Sequence, residues 1–503
     1  MKSKLLVSFL LFLFTALSLS IEGIFSPTGL AQKQFSTSTS GAKSDEKIRR
    51  VENGLLMPFS VKDEPNLVMK LAERMQFYKV PGVSVAVINN GKIEWAKGYG
   101  FQETSVKKGI TTETLFQAAS ISKPITAMAM LRLVQENKLN LDEDVNKKLV
   151  SWKVPDNDFT KVQKVTLRGL LSHSASLTVS GFRGYAEGEE IPTILQILDG
   201  TTPANSVPIR VDGSPNKDFR YAGGGYVVVQ KLAEDVTKKP FSDFMQAEIL
   251  KKLKMNYSTF GQPLPTKFRA AAAVGHSSDG TKIVGGWYLH PEMAAAGLWT
   301  TPSDLARFAI EIQKSKSGKS NKILSVERVN EMLTPQVGGW GLGLDLRGKN
   351  QSARFGHGGG NEGYRCLMFA YSDSGQGAVV MTNSDNGYAL AEEIMRSIAK
   401  EYGWFEYLPK EKVIVSVDRK IYDSYAGQYE IAPNFFLTIT NENGKLMSQM
   451  TGQSKLELFA ESENDFFLKV SETEIKFVKN AQGTVTGLFW RERDRDTFIQ
   501  KIK

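Results

Sequence analysis

Residues 115–135 read LFQAASISKPITAMAMLRLVQ, and this stretch carries the first indication of fold and chemistry. Ser120 and Lys123 are three residues apart, so a helix would place them on one face, where an amine can help to deprotonate a hydroxyl nucleophile. Pro124 suits the first turn of a helix, and the mostly apolar residues after it predict a buried helix. A lysine there costs desolvation energy, which a catalytic role would explain. A serine N-cap followed by a lysine that reaches solvent fits the same spacing.

Two later segments give the run a context. Tyr221-Ala222-Gly223 lies in DFRYAGGGYVVVQKLAE, and His357-Gly358-Gly359 lies in ARFGHGGGNEGYRCLMFAY. They resemble the Tyr-x-Asn element and the His-x-Gly form of the Lys-Thr-Gly element in class C β-lactamases and related D-alanyl-D-alanine carboxypeptidases and esterases. Three flanking phrases are similar too: VTLRGLLSHSASL (165–177), AAAGLWTTPSDLARF (294–308) and GWGLGLDL (339–346). The resemblance covers residues 64 to 402 in the family's order.

The resemblance implies a fold and a set of site residues. The fold is α+β, an antiparallel sheet flanked by helices with a helical insertion, as in β-lactamases and penicillin-binding proteins. Ser120 would be the nucleophile, Lys123 would share its proton, and Tyr221 would be general base and then acid, provided that Lys123 favours its phenolate. The backbone N–H groups of Ser120 and Gly360 would form the oxyanion hole. His357, Gly359 and Gly360 would contact the substrate.

Two departures from the family pattern bear on the substrate. Gly223 stands where class C β-lactamases have an asparagine that holds the acylamino group. His357 stands where they have a lysine that meets the β-lactam carboxylate, and we expect it to bind carboxylates only below about pH 6.5. These losses favour an esterase or peptidase acting on small esters or D-amino-acid-type peptides and amides. A β-lactamase and a catalytically inactive penicillin-binding-like scaffold are the alternatives.

The chain divides into five predicted regions. Residues 1–31 predict a cleaved signal peptide, hence an exported, periplasmic or extracellular protein, with a membrane anchor as the rival interpretation. Residues 32–63 predict a disordered leader. The hydrolase domain is expected over 64–404 and a connector over 405–418. Short alternating runs over 419–503 predict a small antiparallel sandwich or barrel, and its opening, Tyr425 to Tyr429, resembles a lipocalin-like module often appended to this family.

Within the hydrolase region, periodicity predicts the main elements. A helix is expected over residues 64–78, and a β-hairpin over 83–95 with a turn at Asn89 to Lys92. A mostly helical stretch follows the Ser120 run. Strands are expected over 341–346, 364–371 and 377–382, and a closing helix over 388–401. Terminal strands and helices around a helical insertion give an α+β layout.

Composition excludes several other classes of function. The net charge of +9 comes from basic residues interleaved with acidic ones, so no nucleic-acid partner is predicted. The single cysteine, Cys366, is expected to be a packed apolar residue rather than a nucleophile. The four histidines are scattered, so neither a metal nor another cofactor is expected. The predicted partners are a small acyl or peptide substrate and a cell-envelope component, without an integral membrane partner.

Three further motifs are expected to be structural. Ser384-Asp385-Asn386 matches the Ser-x-Asn triplet of penicillin-recognising enzymes but follows His357, the wrong order, so we interpret it as a turn. Lys316-Ser317-Gly318 resembles Lys-Thr-Gly but lies in a polar loop. His173 could suggest a Ser-His-Asp triad, yet no Gly-x-Ser-x-Gly elbow occurs, and a role in ordering a turn is the better hypothesis.

Overall fold

The computed structural model describes residues 42–492 and 495–503. The predicted signal peptide, residues 1–31, therefore lies outside the described residues. The described chain forms two compact units: one comprises residues 48–74 and 392–503, and the other residues 42–47 and 75–391. In the described part of the chain, no helix is both long and apolar enough to span a membrane.

The larger unit is built on a seven-stranded antiparallel sheet, which confirms the α+β prediction. The predicted hairpin forms its first half, with Val85 opposite Lys97 and Ala86 opposite Ala96. The order across the sheet is Lys108–Gly109, Lys92–Glu103, Gly82–Asn89, Gly377–Thr382, Tyr364–Tyr371, Arg354–Asn361 and Asp345–Arg347. The outermost strand, Asp345–Arg347, pairs with Arg354–Asn361 only from Arg354 to Gly356. Among the described residues, no strand therefore pairs with that edge of Arg354–Asn361 from His357 onward.

A helical region separates the second half of the sheet from the first. Its principal helix, Ser122–Gln135, is buried on nearly all sides, as the apolar run predicts. The other helices of this region are Asp158–Val162, Leu167–Leu171, Ile194–Asp199, Gly223–Thr237, Phe241–Met245, Thr266–Arg269, Met293–Ala296, Pro302–Lys316 and Val326–Met332, with a π-helical turn at Gln246–Leu250. A two-stranded ladder joins Phe116–Gln117 to Trp299–Thr300.

Three predicted elements differ from the structure. The expected leader includes the helix Ala42–Glu52, whose Ile48 and Val51 are buried one turn apart. The helix expected over 64–78 shortens to Leu71–Phe77, because Val68–Met69 pairs as a strand with Leu55–Leu56. The strand expected over 341–346 is Asp345–Arg347 instead. Gly343 precedes it at φ +87°, where a Cβ atom would lie 2.7 Å from the Cβ of Ala127.

The smaller unit contains a closed eight-stranded barrel, which decides between the sandwich and the barrel. Its strands follow in chain order: Gly427–Ala432, Phe435–Glu442, Lys445–Met450, Leu456–Ala460, Asp465–Phe467, Thr473–Lys479, Val485–Glu492 and Arg495–Lys501. The last strand pairs with the first through Tyr429 and Lys501. Leu437, Phe466 and Leu488 are among the apolar side chains that fill the interior. The unit also holds the short helix Tyr422–Tyr425 and most of the closing helix Gly387–Tyr402.

Residues 48–74 belong to the same compact unit as the barrel. Strand Phe59–Val61 pairs in parallel with Lys410–Lys412, and the Phe59 ring packs edge-on against Phe467 at 5.5 Å. Glu64 pairs with Lys469 at 2.8 Å. The domain boundaries at 404 and 418 stay a prediction. Truncation of the chain between these residues would remove the contacts that Phe59–Val61 and Glu64 make with the C-terminal part.

We expect a chain that ends at Tyr407 to keep a reactive Ser120 but to lose stability. The truncation exposes Phe59, and loss of one buried aromatic side chain costs about 2 kcal/mol. Thermal unfolding and stoichiometric labelling by a fluorophosphonate, with the full chain as the control, measure the two effects. A truncated chain that is insoluble or cannot be labelled would place the barrel within the catalytic fold.

Candidate active site

Ser120 lies in a tight turn that runs directly into the buried helix. Residues Ala119–Ile121 form a single 3₁₀ turn, and Ala119 has φ 53°, an uncommon conformation for a residue with a side chain. Ser122 holds the turn, because its hydroxyl donates to the Ala119 carbonyl and accepts from the Leu298 N–H at 3.1 Å. Ile121 is the N-cap of helix Ser122–Gln135, and no side chain of the described residues caps that end, so Ser120 is not an N-cap.

Lys123 is buried beside Ser120 rather than extended to solvent. Its side chain is 2% exposed, and Nζ lies 3.0 Å from Ser120 Oγ and 2.8 Å from the carbonyl oxygen of Ala295. The rings of Tyr221 and Tyr226 lie 5.1 and 5.7 Å from Nζ. In the described part of the chain, no carboxylate pairs with Lys123. Burial therefore lowers the pKa of Lys123 to about 7.

Because Lys123 loses its proton near pH 7, we expect acylation of Ser120 to accelerate as the pH rises from 6 to 8. The neutral amine can accept the serine proton, whereas the ammonium cannot. Pre-steady-state acylation by a neutral p-nitrophenyl ester measures this rate, and a neutral ester removes substrate ionisation from the profile. A rate that is flat from pH 6 to 8 would contradict this role for Lys123.

Tyr221 packs beside Ser120 and Lys123, but as a neutral phenol. Burial raises the pKa of Tyr221, and a hydrogen bond with the Ser120 hydroxyl offsets only part of this effect. The condition that Lys123 favours the phenolate is therefore not met. The amine, with its pKa near 7, is the better proton acceptor of the two, and the phenol is placed to donate.

The glycine-rich strand Arg354–Asn361 closes against the Ser120 turn. A Cβ atom on Gly359 would lie 2.1 Å from the carbonyl oxygen of Ala118 and 3.4 Å from the Ser120 nitrogen, so only glycine fits. Gly360, the next residue, is exposed. Gly360 therefore directly follows the residue that contacts the Ser120 turn. The role of its N–H as an oxyanion donor stays a prediction.

His357 is on the same strand and is buried, and its pH behaviour differs from the expectation. Its Nδ1–H donates to the carbonyl of Gly358 at 2.6 Å, which leaves Nε2 as an acceptor without a partner in the described residues. Burial, together with the nearby charge of Lys123, lowers the pKa of His357 to about 3. The expected gain in carboxylate binding below pH 6.5 is therefore wrong, because the imidazole stays neutral there.

Two of the three motifs expected to be structural, Ser384-Asp385-Asn386 and Lys316-Ser317-Gly318, make structural contacts. Asp385 pairs with Arg365 at 2.9 Å, and Asn386 donates to the carbonyl of Tyr78 at 2.8 Å, as befits a turn. Lys316 ends a helix and pairs with Asp373. Cys366 is fully buried, and burial raises the pKa of its thiol to about 12. Among the described residues, no group of histidine, cysteine and acidic side chains could hold a metal ion.

Sequence reasoning misses the segment that holds the nucleophile helix from behind. Thr126 donates to the carbonyl of Ala294 at 3.4 Å, Lys123 to that of Ala295, and Leu298 N–H to Ser122. The phrase AAAGLWTTPSDLARF contains this segment, but two of the three contacts use its carbonyl groups. Backbone groups leave no signal in side-chain identity, so only the structure reveals the contact.

Comparison with known proteins identifies the family. Residues 69–401 match the family model described as Beta-lactamase. The chain belongs to the beta-lactamase family. It is a serine hydrolase of that family, with a C-terminal barrel whose residues 411–502 match a domain of unknown function, DUF3471.

Curated relatives of this beta-lactamase-family chain agree with that assignment, and the solved structure of another protein shares its fold. It is 25% identical to Penicillin-binding protein 4* of Bacillus subtilis (strain 168), over 86% of this chain and 96% of that protein. It is 28% identical to the Teichoic acid D-alanine hydrolase of Staphylococcus aureus, over 46% of this chain and only 54% of that protein. The octameric penicillin-binding protein homologue from Pyrococcus abyssi has the same fold, with a TM-score of 0.61, 22% identity, and coverage of 86% and 98%.

Proposed function

We propose that this chain is an exported serine hydrolase that forms an acyl-enzyme on Ser120 with small esters or D-amino-acid-type amides and peptides. The observation that carries the proposal is the 3.0 Å contact between Ser120 Oγ and a buried amine that no carboxylate of the described residues neutralises. Such an amine is an acceptor for the serine proton at neutral pH, which a surface lysine is not.

Acylation uses three groups of the site. As Ser120 Oγ bonds to the carbonyl carbon, its proton passes to neutral Lys123, and the carbonyl electron pair moves to oxygen. The N–H groups of Ser120 and Gly360 stabilise that oxyanion. When the electron pair returns, the bond to the leaving group breaks. Tyr221 then gives its proton to the leaving group and regains one from Lys123.

Deacylation is the same sequence in reverse with water in place of the leaving group. Tyr221 accepts a proton from the attacking water and Lys123 accepts the proton of Tyr221 in turn. When the tetrahedral intermediate collapses, Ser120 Oγ leaves and recovers a proton from Lys123. The acid product departs and the site is restored, with no cofactor required by this chemistry.

The surroundings of Gly223 and His357 favour substrates without an acylamino group or an essential carboxylate. A Cβ atom on Gly223 would lie 3.1 Å from the ring of Phe182 and 3.1 Å from the carbonyl oxygen of Ser180. The space that an asparagine amide would need is therefore filled. His357 supplies no positive charge at neutral pH. Esters of D-alanine satisfy both limits, and the name Teichoic acid D-alanine hydrolase, carried by one relative, supports this substrate class.

Export is supported by the sequence and by one relative. Lys2 and Lys4 precede the apolar run from Leu5 to Leu19, the pattern of a secretory signal. The Bacillus subtilis relative carries the name Penicillin-binding protein 4*, which supports a cell-envelope location for this chain. A cell-envelope ester or peptide is therefore the substrate class we propose.

A β-lactamase is the second candidate, because it is the activity after which the family is named. Intact-protein mass spectrometry after incubation with a fluorophosphonate, a labelled penicillin and a D-alanine methyl ester tests both, with Ser120→Ala as the matched control. We expect the fluorophosphonate to add once, ester turnover, and little penicillin adduct. Rapid penicillin turnover would favour the β-lactamase, and a chain inert to all three reagents would be a scaffold.

A further inference from the structure

His173 is buried, and it takes no part in the acyl-transfer steps described above. It is 2% exposed and follows the short helix Leu167–Leu171, with φ 59° in the left-handed region. A histidine accepts this conformation more readily than most residues, but it is still uncommon. Something in the surroundings must hold the chain there, and two hydrogen bonds of His173 are with the peptide groups on either side of Tyr221.

Those contacts enclose Tyr221. The N–H of Arg220 donates to the carbonyl oxygen of His173 at 2.7 Å, and the N–H of Ala222 donates to Nδ1 of the imidazole at 3.2 Å. The imidazole also lies against the phenol ring, with ring centroids 4.2 Å apart and planes tilted by 33°. One residue thus fixes the backbone before Tyr221, the backbone after it and one face of its ring.

The hydrogen bond from Ala222 also sets the state of the imidazole. Because Nδ1 accepts, the proton of the neutral ring is on Nε2. Burial, with the nearby charge of Lys123, lowers the pKa of His173 well below its usual value. A neutral ring whose basic nitrogen faces a peptide N–H cannot take the proton of Ser120, so this histidine is not the base of a Ser-His-Asp triad.

We propose that His173 is the positioning residue of Tyr221, holding its phenol at the angle from which the hydroxyl reaches Ser120. This inference rests on the proposed role of Tyr221 as the proton donor to the leaving group. The imidazole satisfies the buried N–H of Ala222 and lies against the phenol ring at the same time, so it couples the backbone next to Tyr221 to the orientation of the ring. A phenol displaced by about 1 Å can cost roughly 100-fold in rate.

Two substitutions separate the parts of the contact. His173→Gly removes the side chain and tolerates the left-handed φ. His173→Asn also tolerates it, and its amide oxygen can accept from the Ala222 N–H in place of Nδ1. We expect the glycine variant to lose roughly 10- to 100-fold in kcat on an alkyl ester. The asparagine variant should recover most of that loss.

Leaving-group dependence distinguishes positioning from folding. An alkoxide needs a proton to leave and p-nitrophenolate does not, so loss of the proton donor should slow acylation by an alkyl ester far more than acylation by a p-nitrophenyl ester. The acylation rate, measured before the steady state, is the quantity compared, because Tyr221 also acts in deacylation with both esters. We expect His173→Gly to show this selective loss, and to cost little more when it is added to Tyr221→Phe. Thermal unfolding and fluorophosphonate labelling of each variant verify that it is folded.

The outcomes are distinct. Equal losses on the two esters, or a full additional loss in the Tyr221→Phe background, would overturn the positioning role while leaving the proposed function in place. If Tyr221→Phe alone slows neither ester, the proposed role of Tyr221 fails, and the inference fails with it. Recovery by asparagine together with a selective loss on the alkyl ester supports the inference.

Discussion

Ser120→Ala should abolish acyl transfer while leaving the fold intact. The substitution removes only Oγ, and neighbouring Ser122, not Ser120, makes the hydrogen bonds that hold the turn. Loss of a catalytic nucleophile lowers kcat by about 10⁶-fold in serine hydrolases. Turnover of a p-nitrophenyl ester and covalent labelling by a fluorophosphonate measure the loss, and thermal unfolding measures the fold.

Ser122→Ala is the matched control for that experiment. It removes a hydroxyl two residues away, which is fully buried and structural in this arrangement. We expect it to lower stability by roughly 1–3 kcal/mol, because the Leu298 N–H loses its acceptor, and to retain a serine that fluorophosphonate labels. Wild-type turnover by Ser120→Ala would refute the assignment of the nucleophile.

Gly359→Ala should reduce kcat by at least 10²- to 10³-fold, the loss associated with one oxyanion donor. The added methyl group would lie 2.1 Å from the carbonyl oxygen of Ala118, which is too close, so one of the two backbone segments must move. The strand must therefore shift away from the Ser120 turn, taking the N–H of Gly360 with it. The loss should fall on kcat rather than on KM, because the oxyanion exists only in the transition state and the intermediate.

Gly358→Ala is the comparison on the same strand. Its methyl group would face the other side, with the hydroxyl of Tyr388 at 3.2 Å as the nearest atom, the far end of a side chain that can move. We expect this variant to lose far less than the Gly359 variant. Equal losses in the two would mean that glycine is needed for strand flexibility and not for contact with the turn.

The sequence predicts the parts of this fold that side-chain patterns encode. The hairpin of Gly82–Asn89 with Lys92–Glu103 and the strands Tyr364–Tyr371 and Gly377–Thr382 have clear apolar patterns, and they form where expected. Strand Arg354–Asn361 is not found by periodicity, because its four glycines carry no alternation. Barrel closure between Tyr429 and Lys501 is likewise invisible, since it joins segments far apart in the chain.

The sequence predicts which residues form the site but not their pKa values. The structure brings together Ser120, Lys123 and Tyr221, residues that the motifs single out. The proton affinities of Tyr221 and His357 differ from expectation, because both depend on burial, which motif spacing does not report. The hydrogen-bond acceptor of Lys123 at Ala295 is a backbone carbonyl, so the side chains of the sequence do not reveal it.

Because Lys123 is buried and its pKa is lowered, folding of this unit releases a proton from its amine. In the unfolded chain its amine keeps a proton up to about pH 10.4, whereas in the folded chain the proton leaves near pH 7. Between those values the unfolded state binds more protons, so this residue makes the fold more stable as the pH rises. Below pH 7 the buried Lys123 is charged, and it lowers the free energy of unfolding the most. The cost grows as the pH falls from about 10.4 to 7 and is constant below pH 7. A falling pH should therefore loosen the scaffold first, and the serine should lose its reactivity only around and below pH 7.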